Sequence, residues 1–190
     1  MEETNKLIFR TKPYQKLLSY QRAEIVYLAT YRFAERFLEK SDRTYDQMIQ
    51  AARSGKQNIV EGAMASAGSK QSELFLTSVA LASLSELSED YLDYLKTRNF
   101  EIWDKDSEKT MYVRNLCRKG DVSYADYKEF IETRNADVVA NIVITLINQT
   151  QVLLSRQIKS LEDKFLREGG VKEKMTKLRL AYRNTAKETE

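Results

Sequence analysis

The sequence contains no histidine and only one cysteine, and these two scarcities exclude several kinds of catalytic site. Ser-His-Asp and Cys-His catalysis require histidine, as do the Glu-x-x-His di-iron sites of helical bundles. Phosphate-binding loops of the GxxxxGK and GxGxxG types are absent too, so nothing supports nucleotide hydrolysis. The alternative is a reactive Cys117 whose pKa is lowered by Arg114 and Arg118. We instead interpret Cys117 as a structural thiol. We predict that the protein is not an enzyme and has no catalytic, metal-binding or cofactor-binding residues.

Proline and glycine are also scarce, with one proline and six glycines in 190 residues. A β or α/β chain of this length spends many more on its turns, whereas this chain is rich in residues that favour helices. No run reaches the roughly 18 apolar residues of a membrane span, since the best, 138–147, is interrupted by Asn141. A single cysteine forms no internal disulfide, and the first residues lack the apolar run of a secretion signal. We predict an all-α, cytoplasmic protein without a membrane partner.

Apolar periodicity and capping residues divide the chain into four long helices and two short ones. An arm of residues 1–13 precedes the long helices, which are predicted over 14–40, 44–64, 69–98 and 135–169. Two weaker segments, 107–119 and 124–134, lie between the third and fourth long helices. Short connections favour antiparallel neighbours. We therefore predict an up-down-up-down four-helix bundle over 14–170, with a short helical insertion at 99–134 and a helical C-terminal tail at 171–190.

The first and fourth long helices carry apolar residues on more sides than a four-helix bundle covers. The fourth is apolar on most of its circumference over 138–147, and the first has three separate apolar stripes. Large exposed apolar surfaces usually mark interfaces. This surplus predicts homo-oligomerisation.

One glycine, Gly55, is predicted in the middle of a helix, where it costs about 1 kcal/mol relative to alanine. The other five are predicted at helix ends: Gly62, Gly68, Gly120, Gly169 and Gly170. Gly55 belongs to an inner stripe of mainly small residues with Ala52, Ile59 and Ala63. The stripe predicts close approach to a neighbouring helix, with the amide of Asn58 available for a buried hydrogen bond.

The segment 50–62 carries a recognisable pattern, A-x-x-[SG]-x-x-x-N-I-x-E-G, followed by a small-residue loop. Its members are Ala51 or Ala52, Ser54 or Gly55, and then Asn58, Ile59, Glu61 and Gly62. On these residues, with Ser72 and Glu73 early in the third helix, the chain resembles the bacterial four-helix bundle family encoded in large-subunit rRNA intervening sequences. That family includes the accessory variability determinant of diversity-generating retroelements. The insertion and tail depart from the short family pattern and resemble a subgroup with a C-terminal helical suffix.

The resemblance implies a non-enzymatic bundle that assembles as a ring-shaped homopentamer. For the retroelement member, it also implies binding of nucleic acid and of a reverse transcriptase through basic surfaces. Most members of the family have no established role.

Basic residues are concentrated in two places, although the formal net charge is only +3. One cluster ends the first short segment, and the other is in the tail: Arg114, Arg118 and Lys119, then Lys172, Lys174, Lys177, Arg179 and Arg183. Such clusters can neutralise nucleic-acid phosphates, although an ordinary solvated helix face has the same composition. We predict an accessory factor that binds RNA or DNA through these residues. The alternative is a protein interaction scaffold whose tail docks in a groove of a partner.

Acidic residues share one face of the third predicted helix, at spacings of four and three: Glu86, Asp90 and Asp93. Carboxylates in this arrangement can hold a hard cation such as Ca²⁺. Since no glycine-rich ligand loop accompanies them, we interpret them as a solvated face.

Overall fold

The computed structural model describes residues 13–116, 118, 122–170, 173, 175–180 and 183. Regular secondary structure in these residues is entirely helical, which confirms the all-α class. The α-helices are α1 (Leu18–Phe37), α2 (Arg43–Ala65), α3 (Lys70–Thr97), α4 (Glu108–Leu116), α5 (Ala125–Thr133) and α6 (Ala136–Glu168), and a 3-10 turn (Tyr14–Lys16) precedes α1. Residues 175–180 of the tail are helical as well.

The first helix is shorter than predicted at both ends. It begins at Leu18 because Leu17 has an extended backbone, with φ −75° and ψ 123°. It ends at Phe37 instead of Lys40 because Leu38 is also extended, with φ −115° and ψ 144°.

Helix α2 extends one residue beyond the predicted range of 44–64 at each end. Asp42 is the N-cap, and its side chain accepts a hydrogen bond of 2.8 Å from the backbone N–H of Thr44, so Thr44 lies inside the helix. At the other end, α2 continues past Gly62 to Ala65, and Gly62 does not end the helix. Gly62 is buried against α3, where a Cβ would lie 3.4 Å from the carbonyl oxygen of Glu73. Gly62 therefore packs on α3 at ordinary van der Waals distance.

The third helix has the predicted ends, each with an identifiable cap. At its start, the Ser69 hydroxyl accepts a hydrogen bond of 3.1 Å from the N–H of Ser72. At its end, Asn99 adopts the left-handed conformation, with φ 55°, and the N–H of Phe100 bonds the carbonyl of Leu95 at 2.9 Å. Together with the bond from Asn99 N–H to Lys96 O at 3.1 Å, this is a Schellman motif with asparagine in the usual glycine position.

The four long helices enclose the core, and each packs against two others. Helix α2 packs against α1 and α3, and α6 packs against α3 and α1. Phe33 of α1 lies between two tyrosines of α3, with ring centroids 4.9 Å from both Tyr91 and Tyr94. The fully buried Tyr91 hydroxyl donates a 3.1 Å hydrogen bond to Thr30, and burial raises the pKa of Tyr91.

At Gly55, helix α2 lies tightly against a side chain of α3. A Cβ at this position would lie 2.7 Å from Cδ2 of the fully buried Leu84. One position away, the hydroxyls of Ser54 and Ser83 are 2.9 Å apart and form a hydrogen bond. The small-residue stripe therefore makes the close contact that the sequence predicts.

The insertion covers much of the apolar surface that the sequence left without a partner. Helix α4 packs on α6 and α5 packs on α1. The insertion buries four apolar side chains in the common core: Val113, Val122, Tyr127 and Ile131. The surplus apolar faces therefore do not by themselves require a second copy, because the chain covers most of that surface.

A salt bridge also joins α1 to α5. The guanidinium of Arg32 donates two hydrogen bonds of 2.8 Å to the carboxylate of Glu132. These hydrogen bonds hold the pKa of Glu132 below its usual value. The pair is partly exposed, so we expect it to orient α5 more than to stabilise the fold.

Asn141 of α6 ties the beginning of the insertion to the core. This residue is buried, and its Oδ1 accepts a hydrogen bond of 2.8 Å from the N–H of Trp103. Its Nδ2 donates to the carbonyls of Glu101 and Asp137, both at 2.8 Å. A single amide therefore satisfies two backbone groups of the segment that follows α3.

Among the described residues, α6 is the one helix long and apolar enough to pass a length-and-composition test for a membrane span. Its most apolar window has a mean hydropathy of 1.5, and 56% of that window is buried inside the fold. The core helix of a soluble protein passes the same test, so this result is weak evidence for a span.

We expect Gly55→Ala to destabilise the protein even though alanine is the better helix former. The new methyl group would overlap Leu84, and overpacking costs about 1–3 kcal/mol against a gain of about 1 kcal/mol in helix propensity. Thermal and urea unfolding should therefore show a lower stability. Gly68→Ala is the control, because a Cβ there would meet nothing closer than 4.0 Å.

Gly55→Ala made together with Leu84→Ala separates overpacking from any effect of the glycine on the backbone. Once Leu84 is truncated, the Gly55→Ala methyl group has room, so the added change should be neutral or stabilising. An equal loss in both backgrounds would contradict the assigned clash.

We expect Asn141→Ala to lower stability by about 1–3 kcal/mol, because it leaves two backbone groups near Trp103 without partners. Trp103 is the only tryptophan, so its fluorescence reports on this segment directly. Its emission should shift to the red as the segment loosens. Asn148→Ala, at an exposed position of α6, should leave both stability and emission unchanged.

Candidate nucleic-acid interface

Four arginines line one groove where the start of α1, the end of α4 and the middle of α6 meet. They are Arg22, Arg114, Arg118 and Arg156, and the groove has a volume of about 390 Å³. Leu18, Val152 and Leu153 give it an apolar part, and Asn148 and Gln149 add two amides. No carboxylate is among the described residues that line it.

Arg22 is the innermost of the four, with only 6% of its surface exposed. Its Nη1 donates a hydrogen bond of 3.4 Å to the carbonyl of Val122, which belongs to the insertion. The guanidinium group of arginine is positively charged. Arg22 therefore places a fixed positive charge at the base of the groove.

The other three arginines approach the groove from the end of α4 and from α6. Arg114 lies in the last turn of α4, and Arg118 follows four residues later, just beyond the helix end. Arg156 lies on α6 and is exposed, like Arg118. Neither Arg118 nor Arg156 forms an ion pair in the part of the chain that the structure describes. Their charges are therefore available to an anion from solution.

Gln149 lies against the wall of the groove with one polar atom unsatisfied. Its Nε2 donates to the carbonyl of Arg114 at 3.5 Å, which sets the orientation of the amide. Its Oε1 is buried and has no hydrogen-bond partner among the described residues. Unpaired buried acceptors are rare in folded proteins because each costs about 1–3 kcal/mol.

The groove brings together some of the predicted basic residues and separates others. Arg114 and Arg118 line it, as the sequence cluster suggested, whereas Lys119 lies outside the described residues. In the tail, Lys172 and Lys174 also lie outside them. The described tail cations do not line the groove and are exposed: Lys177, Arg179 and Arg183.

The sequence pattern did not identify Arg22 or Arg156 as candidate nucleic-acid-binding residues. Arg22 is the one charged residue among the buried residues of α1, near Ala23, Ile25 and Val26. A charge within an apolar stretch was a signal, because a buried cation needs a compensating environment. For Arg156, on the exposed side of a long helix, no local signal was present.

Comparisons with protein-family models, curated proteins and solved structures found no match. The resemblance to the rRNA intervening-sequence family therefore stays a prediction.

The residues of that family pattern have architectural positions in α2. Ala52, Gly55, Ile59 and Gly62 are buried, and Glu61 is exposed. Asn58 is half-buried, and its amide donates to the carbonyl of Ser54 at 2.9 Å, within the same helix. Among the described residues, the hydrogen bonds of the Asn58 amide are therefore part-buried and stay within α2.

The acidic residues of α3 lie apart from the arginine groove. Partial burial raises the pKa of Asp90, and the charges of Glu86 and Asp93 raise it further. Both flanking carboxylates are exposed. Among the described residues, no group of three His, Cys, Asp or Glu side chains is placed to hold a metal ion.

Proposed function

We propose that this protein binds RNA or DNA through backbone phosphates, with the arginine groove as the principal contact. The observation that carries the proposal is the convergence of four arginines, from α1, from α4 and the turn after it, and from α6, on a groove without a carboxylate among its described lining residues. Arginine is suited to this role because its planar fork can bond two phosphate oxygens at once.

The groups around the arginines suit a nucleic-acid backbone better than a small inorganic anion, because they offer apolar and hydrogen-bonding contacts as well as positive charge. Leu18 and Val152 are half exposed beside the cations, and they offer apolar contact to a sugar or a base. Asn148 and Gln149 offer hydrogen-bonding groups to the same ligand. The described lining contains no nucleophile paired with a base, so we propose binding without catalysis.

The tail would add a second, non-specific contact. Lys177, Arg179 and Arg183 are exposed and face no acidic partner in the described residues. Each additional phosphate contact releases counterions, so affinity should fall steeply with salt. A reverse transcriptase or another protein acting on the same nucleic acid is the partner that the family resemblance proposes.

We further propose that the four long helices form the up-down-up-down bundle expected from the sequence. Contacts between α2 and α3 support it, because Gly55 meets Leu84 whereas Gly62, further along α2, meets Leu76, earlier in α3. Two hydrogen bonds link α6 to its neighbours. Gln151 of α6 donates to Ser85 of α3 at 3.0 Å, and Ser19 of α1 donates to Gln157 of α6 at 2.8 Å.

We expect the double substitution Arg118→Gln with Arg156→Gln to weaken nucleic-acid binding. Fluorescence anisotropy with labelled single- and double-stranded RNA and DNA at about 50 and 200 mM salt measures it. The slope of log affinity against log salt should fall by about one for each arginine that contacts a phosphate. Both side chains are exposed, so the thermal stability should not change.

Arg53→Gln with Lys128→Gln is the matched control, since it also removes two positive charges, from exposed positions of α2 and α5 outside the groove. It should change affinity and salt slope far less than the substitution of Arg118 and Arg156. Equal losses in both variants would indicate a diffuse charge effect and would contradict the groove. No binding of any of the four nucleic acids at about 50 mM salt would refute the proposed function.

Self-association is a second proposal, and the apolar side chains that remain exposed on α2 and α3 support it. Phe75 is 66% exposed and Met64 is 63% exposed, although both are large and apolar. The family resemblance makes a homopentamer the specific expectation. Such a scaffold could act with or without nucleic acid.

Phe75→Ser tests self-association through this surface. Light scattering of the wild type should give a multiple of 22.1 kDa, and the variant should shift toward the monomer mass. Leu166→Ser is the control, since it removes an even more exposed apolar side chain from the end of α6. A wild-type monomer across the accessible concentration range would exclude the homo-oligomer.

A further inference from the structure

A second cavity, of about 470 Å³, lies on the other side of the insertion and shares no residue with the arginine groove. Helices α4, α5 and α6 enclose it together with the segment around Trp103. Its volume falls within the range of about 300–1,000 Å³ that small-molecule sites occupy. A cavity of this size can hold a small molecule.

The walls are mainly apolar and aromatic. Val113, Tyr127 and Ile142 are buried side chains that form its inner part. Tyr112 and Phe130 stand closer to solvent, with their rings edge to face and centroids 6.1 Å apart. Tyr112 remains 55% exposed in spite of this contact, so an apolar ligand would find an aromatic surface already in place.

Charged side chains are present in the lining, and cations outnumber anions. Lys109 and Arg134 line the cavity, against a single carboxylate, Glu108. Glu108 lies in the first turn of α4, where the helix dipole favours a negative charge. Lys109 Nζ is 3.0 Å from Glu101, and Arg134 has no acidic partner in the described part of the chain. The guanidinium of Arg134 is therefore the group most available to a ligand.

We propose that this cavity binds a small amphipathic carboxylate, with its apolar body against the aromatic wall and its carboxylate on Arg134. The apolar lining disfavours strongly polar ligands such as free nucleotides, which would lose hydration without enough compensating hydrogen bonds. Because Lys109 is paired with Glu101, Arg134 is the lining cation that favours an anionic head group over an ammonium group. The site is independent of the arginine groove, and the failure of one proposal would leave the other unaffected.

Trp103 lines the cavity and is the only tryptophan, so its fluorescence reports on occupancy. The probe is dodecanoate below its micelle concentration, with dodecanol as the neutral analogue of the same length. We expect a saturable change in Trp103 emission with one equivalent bound, and tighter binding of dodecanoate than of dodecanol. Displacement of anilinonaphthalene sulfonate provides a second readout that does not depend on tryptophan.

Arg134→Gln should weaken dodecanoate binding about tenfold, the loss of one charge-assisted hydrogen bond, and leave dodecanol binding unchanged. Lys128→Gln removes a positive charge from an exposed position of α5 outside the cavity and should alter neither affinity. Tyr112→Ala should weaken both ligands, because it removes part of the apolar wall. Circular dichroism melting checks that each variant is folded.

Three results would overturn the proposal. One is the absence of a saturable signal for either ligand. Another is the binding of several equivalents with no sensitivity to Tyr112→Ala, which would indicate non-specific association. The third is an equal affinity for dodecanoate in wild type and Arg134→Gln, which would remove the assigned carboxylate contact.

Discussion

The side-chain amide of Asn141 determines where the insertion lies on the four long helices. Its oxygen and nitrogen satisfy backbone groups of Trp103 and Glu101 at 2.8 Å, inside a stretch of α6 that is otherwise apolar. A buried amide is stable there only with these partners, so the pairing is selective. From this point the chain continues into α4 and α5, which cover α6 and α1.

Both candidate sites follow from the position of the insertion. On one side, the end of α4 places Arg114 and Arg118 beside Arg22 of α1 and Arg156 of α6. On the other side, the same short helix encloses an apolar cavity with α5 and α6. A single nine-residue helix, α4, thus separates a cationic groove from an aromatic pocket. The close contact of α2 with α3 has a different role, since it holds the core together without contributing to either site.

The parts of the fold that were predictable depend on local backbone chemistry. Ser69 caps α3, and Gly169 ends α6 with φ 69°, because these residues suit those conformations wherever they occur. Two local predictions for α2 were wrong because more than one residue could cap the helix, and because glycine occurs both at helix ends and inside packed helices. Asp42, and not a residue at the predicted start at Thr44, caps α2, and Gly62, which was predicted at a helix end, lies inside α2 and packs against α3.

The amino-acid sequence by itself determined the helical class, most helix positions, the close approach at Gly55 and the basic character of the segment around Arg114 and Arg118. These properties depend on residues near one another in the chain, so periodicity and composition reveal them. Only the tertiary structure decided that the insertion covers α6, that Arg22 and Arg156 join the groove, and that Trp103 lines a cavity. Those arrangements depend on which helix faces remain uncovered after packing, and this information is spread over residues far apart in sequence.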